Sequence, residues 1–303
     1  MDDFLASILP TLAGTLRVAT PLILCAMGGL FSERSGIIDV GLEGKMLAAA
    51  FASAAIAAWT GSPWEALAGA IAVSCAMAGL HGFATITHRG NQVVSGVAIN
   101  ILASGLTVVF GIAWFQAGGQ TPALPDSARF MPLLGGFSPL TFVALAVVAL
   151  TWWTVGRTRF GLRLRAVGEA PAAIDAAGIS VTWLRYRALL ICGVFTGIAG
   201  TYLAISQNAN FSRDMSAGQG YIALAALIFG KWKPLPAFGA CLAFGLLDAV
   251  AIRLQGVSVA GIGEVPVQFI QALPYVLTVI LLAGLIGKAV APKAIGVPYE
   301  KEH

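Results

Sequence analysis

Residues 157–187 read RTRFGLRLRAVGEAPAAIDAAGISVTWLRYR, from Arg157 to Arg187, and this stretch orients everything around it. It carries six arginines between two long apolar runs, in a chain where only 11% of residues are charged. Its centre, Glu169-Ala170-Pro171 to Ala177-Gly178, predicts a short helix of about two turns. Pro171 suits the first turn, where its missing N–H costs nothing, and Gly178 suits the left-handed residue past the end. A helix that short is not stable alone in water, so it must dock on the membrane part of the chain or on a partner. An arginine-rich loop lying on anionic lipid headgroups is the alternative. The cap residues and the alternation of Leu162 and Leu164 with Arg163 and Arg165 favour a docking element.

Outward from there the chain turns greasy. Hydrophobic residues make up 58% of the 303 residues and the mean hydropathy is +0.84. A soluble domain has roughly 25% charged residues, so this chain cannot cover a water-facing surface. Disorder, collagen, a disulfide scaffold and a soluble nucleic-acid binder are excluded, and no nucleic-acid partner is expected. Crossing a bilayer takes about 20 apolar residues. Such runs lie near 8–30, 42–60, 64–87, 92–116, 137–156, 186–206, 236–253 and 268–287. A shorter glycine-interrupted run, 218–230, is either a ninth span or re-entrant. The expected fold is all-α and polytopic, with about 8–10 transmembrane helices in one domain over 1–303. Residues 117–136, rich in Gly and Pro, are expected to pack irregularly over the outer mouth.

Charge placement sets the orientation. With nine spans and the N-terminus outside, fourteen lysines and arginines fall in cytoplasmic segments, Arg34, Lys45, Arg89, Arg185, Lys288, Lys293 and Lys301 among them; only Arg129, Arg213 and Arg253 fall outside. The positive-inside rule then places the N-terminus outside, the C-terminus in the cytoplasm and 157–185 as a cytoplasmic loop. Met1-Asp2-Asp3-Phe4 lacks the basic start of a signal peptide, so the first run is expected to be retained. The four cysteines are widely spaced in apolar runs, which points to packing and to no metal or other cofactor.

Polar residues inside apolar runs are functional candidates. Asp39 and Glu43 lie four apart. They could hold a cation, or pair with Arg34 and Lys45 to support a helix broken at Gly36, Gly41 and Gly44, which is the favoured reading. Asn91, Gln92 and Asn100 open the fourth run; neutral amides offer donor and acceptor together, suiting a neutral solute, and interhelical bonding is the alternative. Gln219 and Tyr221 sit in the short run, and Phe211 precedes it. These six are the candidates for a translocation pathway, with belt or packing roles as the alternative for the aromatic pair. The interruptions at 36–44 and 218–230 hint at an inverted repeat with its pathway between the halves.

Several of these stretches carry a resemblance. Phe31-Ser-Glu-Arg-Ser-Gly-Ile-Ile-Asp-Val-Gly-Leu-Glu-Gly44, Asn91-Gln-Val-Val-Ser-Gly-Val-Ala-Ile-Asn100, Gly218-Gln-Gly-Tyr-Ile-Ala-Leu-Ala-Ala-Leu-Ile-Phe-Gly-Lys-Trp232 and the 157–187 loop follow one another as in permease subunits of ATP-binding-cassette importers. The chain resembles the simple-sugar and nucleoside branch, related to branched-chain amino acid and ribose permeases, and thus a type II importer fold. The resemblance implies a plasma (inner) membrane subunit that pairs with a second, different permease chain, cytoplasmic ATPase subunits and an extracellular substrate-binding lipoprotein. It also implies that Arg163, Arg165, Glu169, Pro171, Ile174, Asp175 and Gly178 form a coupling element. No GxxxxGK[ST] phosphate loop occurs in the sequence, so ATP hydrolysis is expected from a partner and the chain is not itself an enzyme. An ion-coupled secondary transporter using Asp39 and Glu43 is the competing reading. An intramembrane enzyme lacks a catalytic constellation.

Overall fold

The computed structural model describes residues 2–254 and 290–301, with residues 258–259, 263–264, 272 and 276 between them. The expected span 268–287, with Lys288 just beyond it, lies outside the described residues apart from 272 and 276. Among the described residues ten helices carry the fold: α1 (Asp2–Arg34), α2 (Leu42–Thr60), α3 (Pro63–Gly82), α4 (Gln92–Phe115), α5 (Pro139–Arg157), α6 (Arg159–Glu169), α7 (Pro171–Ala176), α8 (Val181–Thr201), α9 (Gln219–Phe229) and α10 (Pro234–Leu254). Single π-helical turns at Phe83–Thr87 and Tyr202–Gln207 extend α3 and α8. Two short strands, Ser258–Val259 (β1) and Gly263–Glu264 (β2), pair antiparallel.

Seven helical spans among the described residues are long and apolar enough to cross a bilayer, beginning at Pro10, Leu42, Pro63, Gln92, Pro139, Val181 and Pro234. They match the apolar runs to within a few residues. Most starts are capped locally. Ser62, Asn91, Ser138, Thr158 and Ser180 each accept a backbone N–H from the first turn of the helix that follows. Proline stands at the first position of α3 and α5, where it removes a donor that would otherwise need a partner.

α1 is the axis of the bundle. Its residues from Ala19 to Phe31 are buried against α5, α8, α9 and α10. α4 stands at the edge and leans mainly on α2. Its Val94, Ile101, Val109 and Ile112 are exposed, which suits lipid or another apolar protein surface.

The two ends of the bundle differ. One end gathers Arg34, Arg185 and Trp232: Arg185 Nε donates to the Ser35 carbonyl at 3.1 Å and Arg34 Nε to the Trp232 carbonyl at 2.8 Å. The other gathers Arg17, which donates to the Gly136 carbonyl at 2.8 Å, and the hydroxyls of Ser138 and Ser206, 3.0 Å apart. α8 runs from the first end to the second, and α10 starts again at the first. Residues 208–232 therefore make the return, yet only α9, 11 residues long, is helical within it. The run 218–230 is thus half of a crossing whose other half, 208–217, is irregular.

Irregular backbone at membrane depth is tolerated only where protein or a water-filled cavity covers it. The loop 117–138 provides part of that cover. Thr121 and Leu124 donate backbone N–H to Phe211 and Ala209 at 3.1 and 2.7 Å, and Phe130 donates to Ile205 at 3.1 Å. Phe211 N–H returns to the Thr121 hydroxyl at 2.9 Å.

Two basic residues assigned by sequence to cytoplasmic segments are buried inside the protein. Lys45 sits wholly buried in the first turn of α2, paired with Asp39, and Arg185 is buried in α8. Each has found carbonyl or carboxylate partners inside the protein, so neither reports on the aqueous loops.

Candidate translocation site

Two helices start inside the bundle without a side-chain cap of their own: α2 after Gly41 and α9 after Gly218. Neighbouring helices supply what is missing. Asn100 Oδ1, from α4, accepts the Gly44 N–H in the first turn of α2 at 2.8 Å. Glu43, the residue before Gly44, accepts the Gly218 and Gly220 N–H groups of α9 at 2.8 and 2.6 Å, one on each carboxylate oxygen. A carboxylate at a helix N-terminus meets both unpaired N–H groups and the positive end of the macrodipole. The relay closes through α9, because Asn100 Nδ2 donates to the Tyr221 hydroxyl at 2.7 Å and to the Val40 carbonyl at 3.1 Å. The broken stretch 36–44 and the short run 218–230 are thereby in direct contact.

Close approach depends on glycine here. A Cβ on Gly44 would lie 2.7 Å from the Asn100 Cα, and one on Gly220 would lie 2.5 Å from the Glu43 nitrogen. Neither leaves room for a methyl group.

Beside this junction opens a pocket of about 330 Å³ lined by Glu43, Asn100, Ser104, Asp214, Gly218 and Tyr221 among others. Asn100 is eight residues along α4, about 12 Å from its start at 1.5 Å per residue, and Ser104 is about 6 Å further. The pocket therefore sits near mid-depth, against the irregular half of the 208–232 crossing.

The other sequence candidates lie elsewhere. Asn91 caps α4, accepting from Val93 and Val94 N–H at 3.0 Å each. Gln92 is buried and accepts the Ile38 N–H at 2.6 Å. Phe211 is fully buried, edge-on to Phe51, and does not line the pocket. Gln219 is half-buried on the first turn of α9. Asp39 and Glu43 do not share a site. Asp39 pairs with Lys45 and accepts from Cys192 Sγ at 3.3 Å. Arg34 reaches neither carboxylate. His81 bridges Ser95 Oγ and the Ile38 carbonyl at 3.0 Å each.

At the Arg34 end, α7 has the cap residues expected of it: Pro171 in the first turn and Gly178 at φ +77°. Ile174 turns inward onto Val167, Val181 and Leu184, with Phe160 and Tyr299 alongside. Glu169 and Arg163 are exposed, Arg165 is half-buried, and Asp175 lies 3.6 Å from Lys301. The preceding stretch, expected as a loop with alternating Leu and Arg, is helical too, as α6. The segment 290–301 straps this region together. Ala294 N–H donates to the Gly168 carbonyl at 2.8 Å, Gly296 N–H to the Gly36 carbonyl at 3.1 Å, and Arg185 Nη1 to the Val297 carbonyl at 3.4 Å. Nothing in the sequence marked that strap.

Against known proteins, residues 11–285 match the family model described as branched-chain amino acid transport system / permease component. The chain belongs to this permease family. It is 40% identical over 95% of both chains to the guanosine ABC transporter permease protein NupQ of Bacillus subtilis. It is 39% identical to the nucleoside ABC transporter permease protein NupC of Lactococcus lactis, over 95% of this chain and 96% of that one. It is also 27% identical to a second B. subtilis guanosine permease protein, NupP, over 77% of this chain and 71% of that one. The chain is a multi-pass membrane permease component, and its all-α polytopic architecture is that of the family.

Proposed function

We propose that this chain is the membrane-spanning subunit of an ATP-driven importer of nucleosides. The observation that carries the proposal is 40% identity to a guanosine permease along 95% of both chains. The pocket's chemistry agrees. Its serine hydroxyl, tyrosine phenol and Asp214 carboxylate suit a neutral, hydroxyl-bearing solute, and weak contact serves a path that must release its cargo.

ATP is hydrolysed by separate cytoplasmic ATPase subunits, and an external binding lipoprotein delivers the solute. The second permease is a different chain, as the similarity to both NupQ and NupP of one organism supports. It covers the α4 side, where Asn100 and Ser104 open beside exposed apolar residues and lipid alone would leave polar groups unmet. The N-terminus faces outward and the C-terminus inward. Residues 157–185 act as the coupling element: α7 presents its exposed alanines to the ATPase beside Glu169 at the end of α6, Ile174 anchors it, and Arg163 and Arg165 flank it. A cation-coupled carrier is not favoured, since Lys45 neutralises Asp39 and α9 occupies Glu43.

The test is uptake of radiolabelled guanosine into ATP-loaded proteoliposomes containing the chain, its partner permease, the ATPase and the binding lipoprotein. Uptake is expected to survive a protonophore and to stop with a hydrolysis-dead ATPase. The opposite pair of results overturns the proposal.

A further inference from the structure

A pocket reads its ligand only with hydrogen-bonding capacity that the protein has not already used. In the mid-depth pocket most of that capacity is spent. Both Glu43 oxygens hold the start of α9. Asn100 has its oxygen on Gly44 and its two amide hydrogens on Val40 and Tyr221. Asn100 therefore has no donor left for the solute, and its oxygen is already turned toward Gly44.

Three groups keep capacity. The Tyr221 hydroxyl accepts from Asn100, so its own proton is free to point away from that amide, and the side chain is 45% exposed. No acceptor for that proton is found among the described residues. Ser104 Oγ donates to Asp214 Oδ1 at 3.0 Å and retains its acceptor lone pairs. Asp214 carries one partner on each oxygen, Ser104 on Oδ1 and Arg213 Nε at 3.4 Å on Oδ2, and over half of its side chain is open. Each carboxylate oxygen therefore has a lone-pair site left.

We propose that Asp214 and Ser104 accept hydrogen bonds from the vicinal 2′- and 3′-hydroxyls of a ribonucleoside, while Tyr221, oriented by Asn100, donates to an acceptor elsewhere on the same solute. The pocket is then a hydroxyl-reading subsite on the path, selective for ribose over deoxyribose. This rests on the nucleoside reading above. The chemistry follows from the inventory. A carboxylate takes two adjacent O–H donors side by side, as it takes the paired donors of a guanidinium, and a phenol whose oxygen is already hydrogen-bonded is a polarised donor. Asn100 is a positioning residue in this arrangement.

The experiment uses the complete reconstituted transporter with its binding lipoprotein saturated in turn with guanosine and with 2′-deoxyguanosine. The quantity read is the ratio of the two uptake rates, which a variant that merely folds poorly does not move. Asp214→Asn is expected to bring that ratio about tenfold closer to one, the discrimination one hydrogen bond to a charged group can supply. Ser104→Ala is expected to move it in the same direction by less. Tyr221→Phe is expected to slow both nucleosides about tenfold with the ratio unchanged. Asn100→Asp, which keeps the oxygen toward Gly44 but has no amide proton for Tyr221, is expected to resemble Tyr221→Phe. A wild-type ratio of one, or ratios unchanged in both Asp214→Asn and Ser104→Ala, overturns the subsite while leaving nucleoside transport intact. A wild-type complex that takes up neither nucleoside overturns the nucleoside reading, and the subsite with it.

Discussion

Glu43 accepts the N–H of Gly220 at 2.6 Å across the interior of the bundle, so the second residue of α2 caps the second residue of α9. Asn100 does the same for α2 from α4. Two helix starts that water would solvate at a membrane surface are satisfied by side chains at depth. The pocket is bounded by the three helices that share this relay. A movement of any one of them must be felt by the other two.

Replacing Glu43 with Ala removes two charge-assisted hydrogen bonds from α9. The loss should be about 2–3 kcal/mol, allowing for partial rescue by water. Thermal unfolding of the detergent-purified complex measures it. Glu43→Gln, which keeps one acceptor oxygen, should fall between the two, and an unchanged melting temperature in Glu43→Ala would contradict the cap.

Asp39 and Lys45 are wholly buried against each other. Asp39→Asn alone strands the ammonium and should cost about 3–5 kcal/mol, whereas Asp39→Asn combined with Lys45→Met should recover most of it. Expression level and thermal unfolding of the two singles and the double decide the matter. A double variant no better than either single would show that the ion pair is needed for more than mutual neutralisation.

Gly44→Ala places a methyl group 2.7 Å from the Asn100 Cα, which drives α4 off α2. The expected cost is about 1–3 kcal/mol, with guanosine uptake falling in parallel. Gly105→Ala, on α4, meets nothing within 4 Å and should behave as wild type.

Ile174→Asp puts a carboxylate among Val167, Val181 and Leu184 and should release α7. Transport should be lost while the ATPase of the assembled complex keeps turning over. Glu169 is exposed, so Glu169→Ala probes the partner contact without disturbing that packing. Normal uptake by Ile174→Asp would remove α7 from the coupling path.

Orientation is open to labelling. Cys25, Cys192 and Cys241 are buried, so only Cys75 need be removed. With Cys75→Ser as background, Ser127→Cys should react with an impermeant maleimide in intact cells and Arg163→Cys only after permeabilisation. The reverse pattern inverts the topology.

Much of this is legible in the sequence, for physical reasons. Span boundaries follow from apolar length, which is why 92–116 and 42–60 coincide closely with α4 and α2. Pro171 and Gly178 mark α7 through backbone rules that hold anywhere. α6 was legible too: Phe160, Leu164 and Val167 follow helical spacing, but the Leu162–Arg165 alternation masked it and Leu162 proves exposed. The irregular half-crossing, Asn208 to Ala217, looks like any polar loop, because what keeps it inside the bundle is the distant 121–130 segment. The capping relay joins residues far apart in the chain, and neither Asn100 nor Glu43 differs in type from an interhelical tie. Asn91 and Asn100 share a side chain and a helix; only the neighbours at Val93 and at Gly44 set one as a local cap and the other as part of the pocket wall.

The strap at 290–301 bears on how the protein is made. The Gly36 carbonyl waits for the Gly296 amide, and the Arg185 guanidinium waits for Val297, so the turn between α1 and α2 receives its seal from residues that leave the ribosome long after it. A chain arrested in translation before that point would sit in the bilayer with this seam unsewn, exposed to the proteases that survey unfinished membrane proteins.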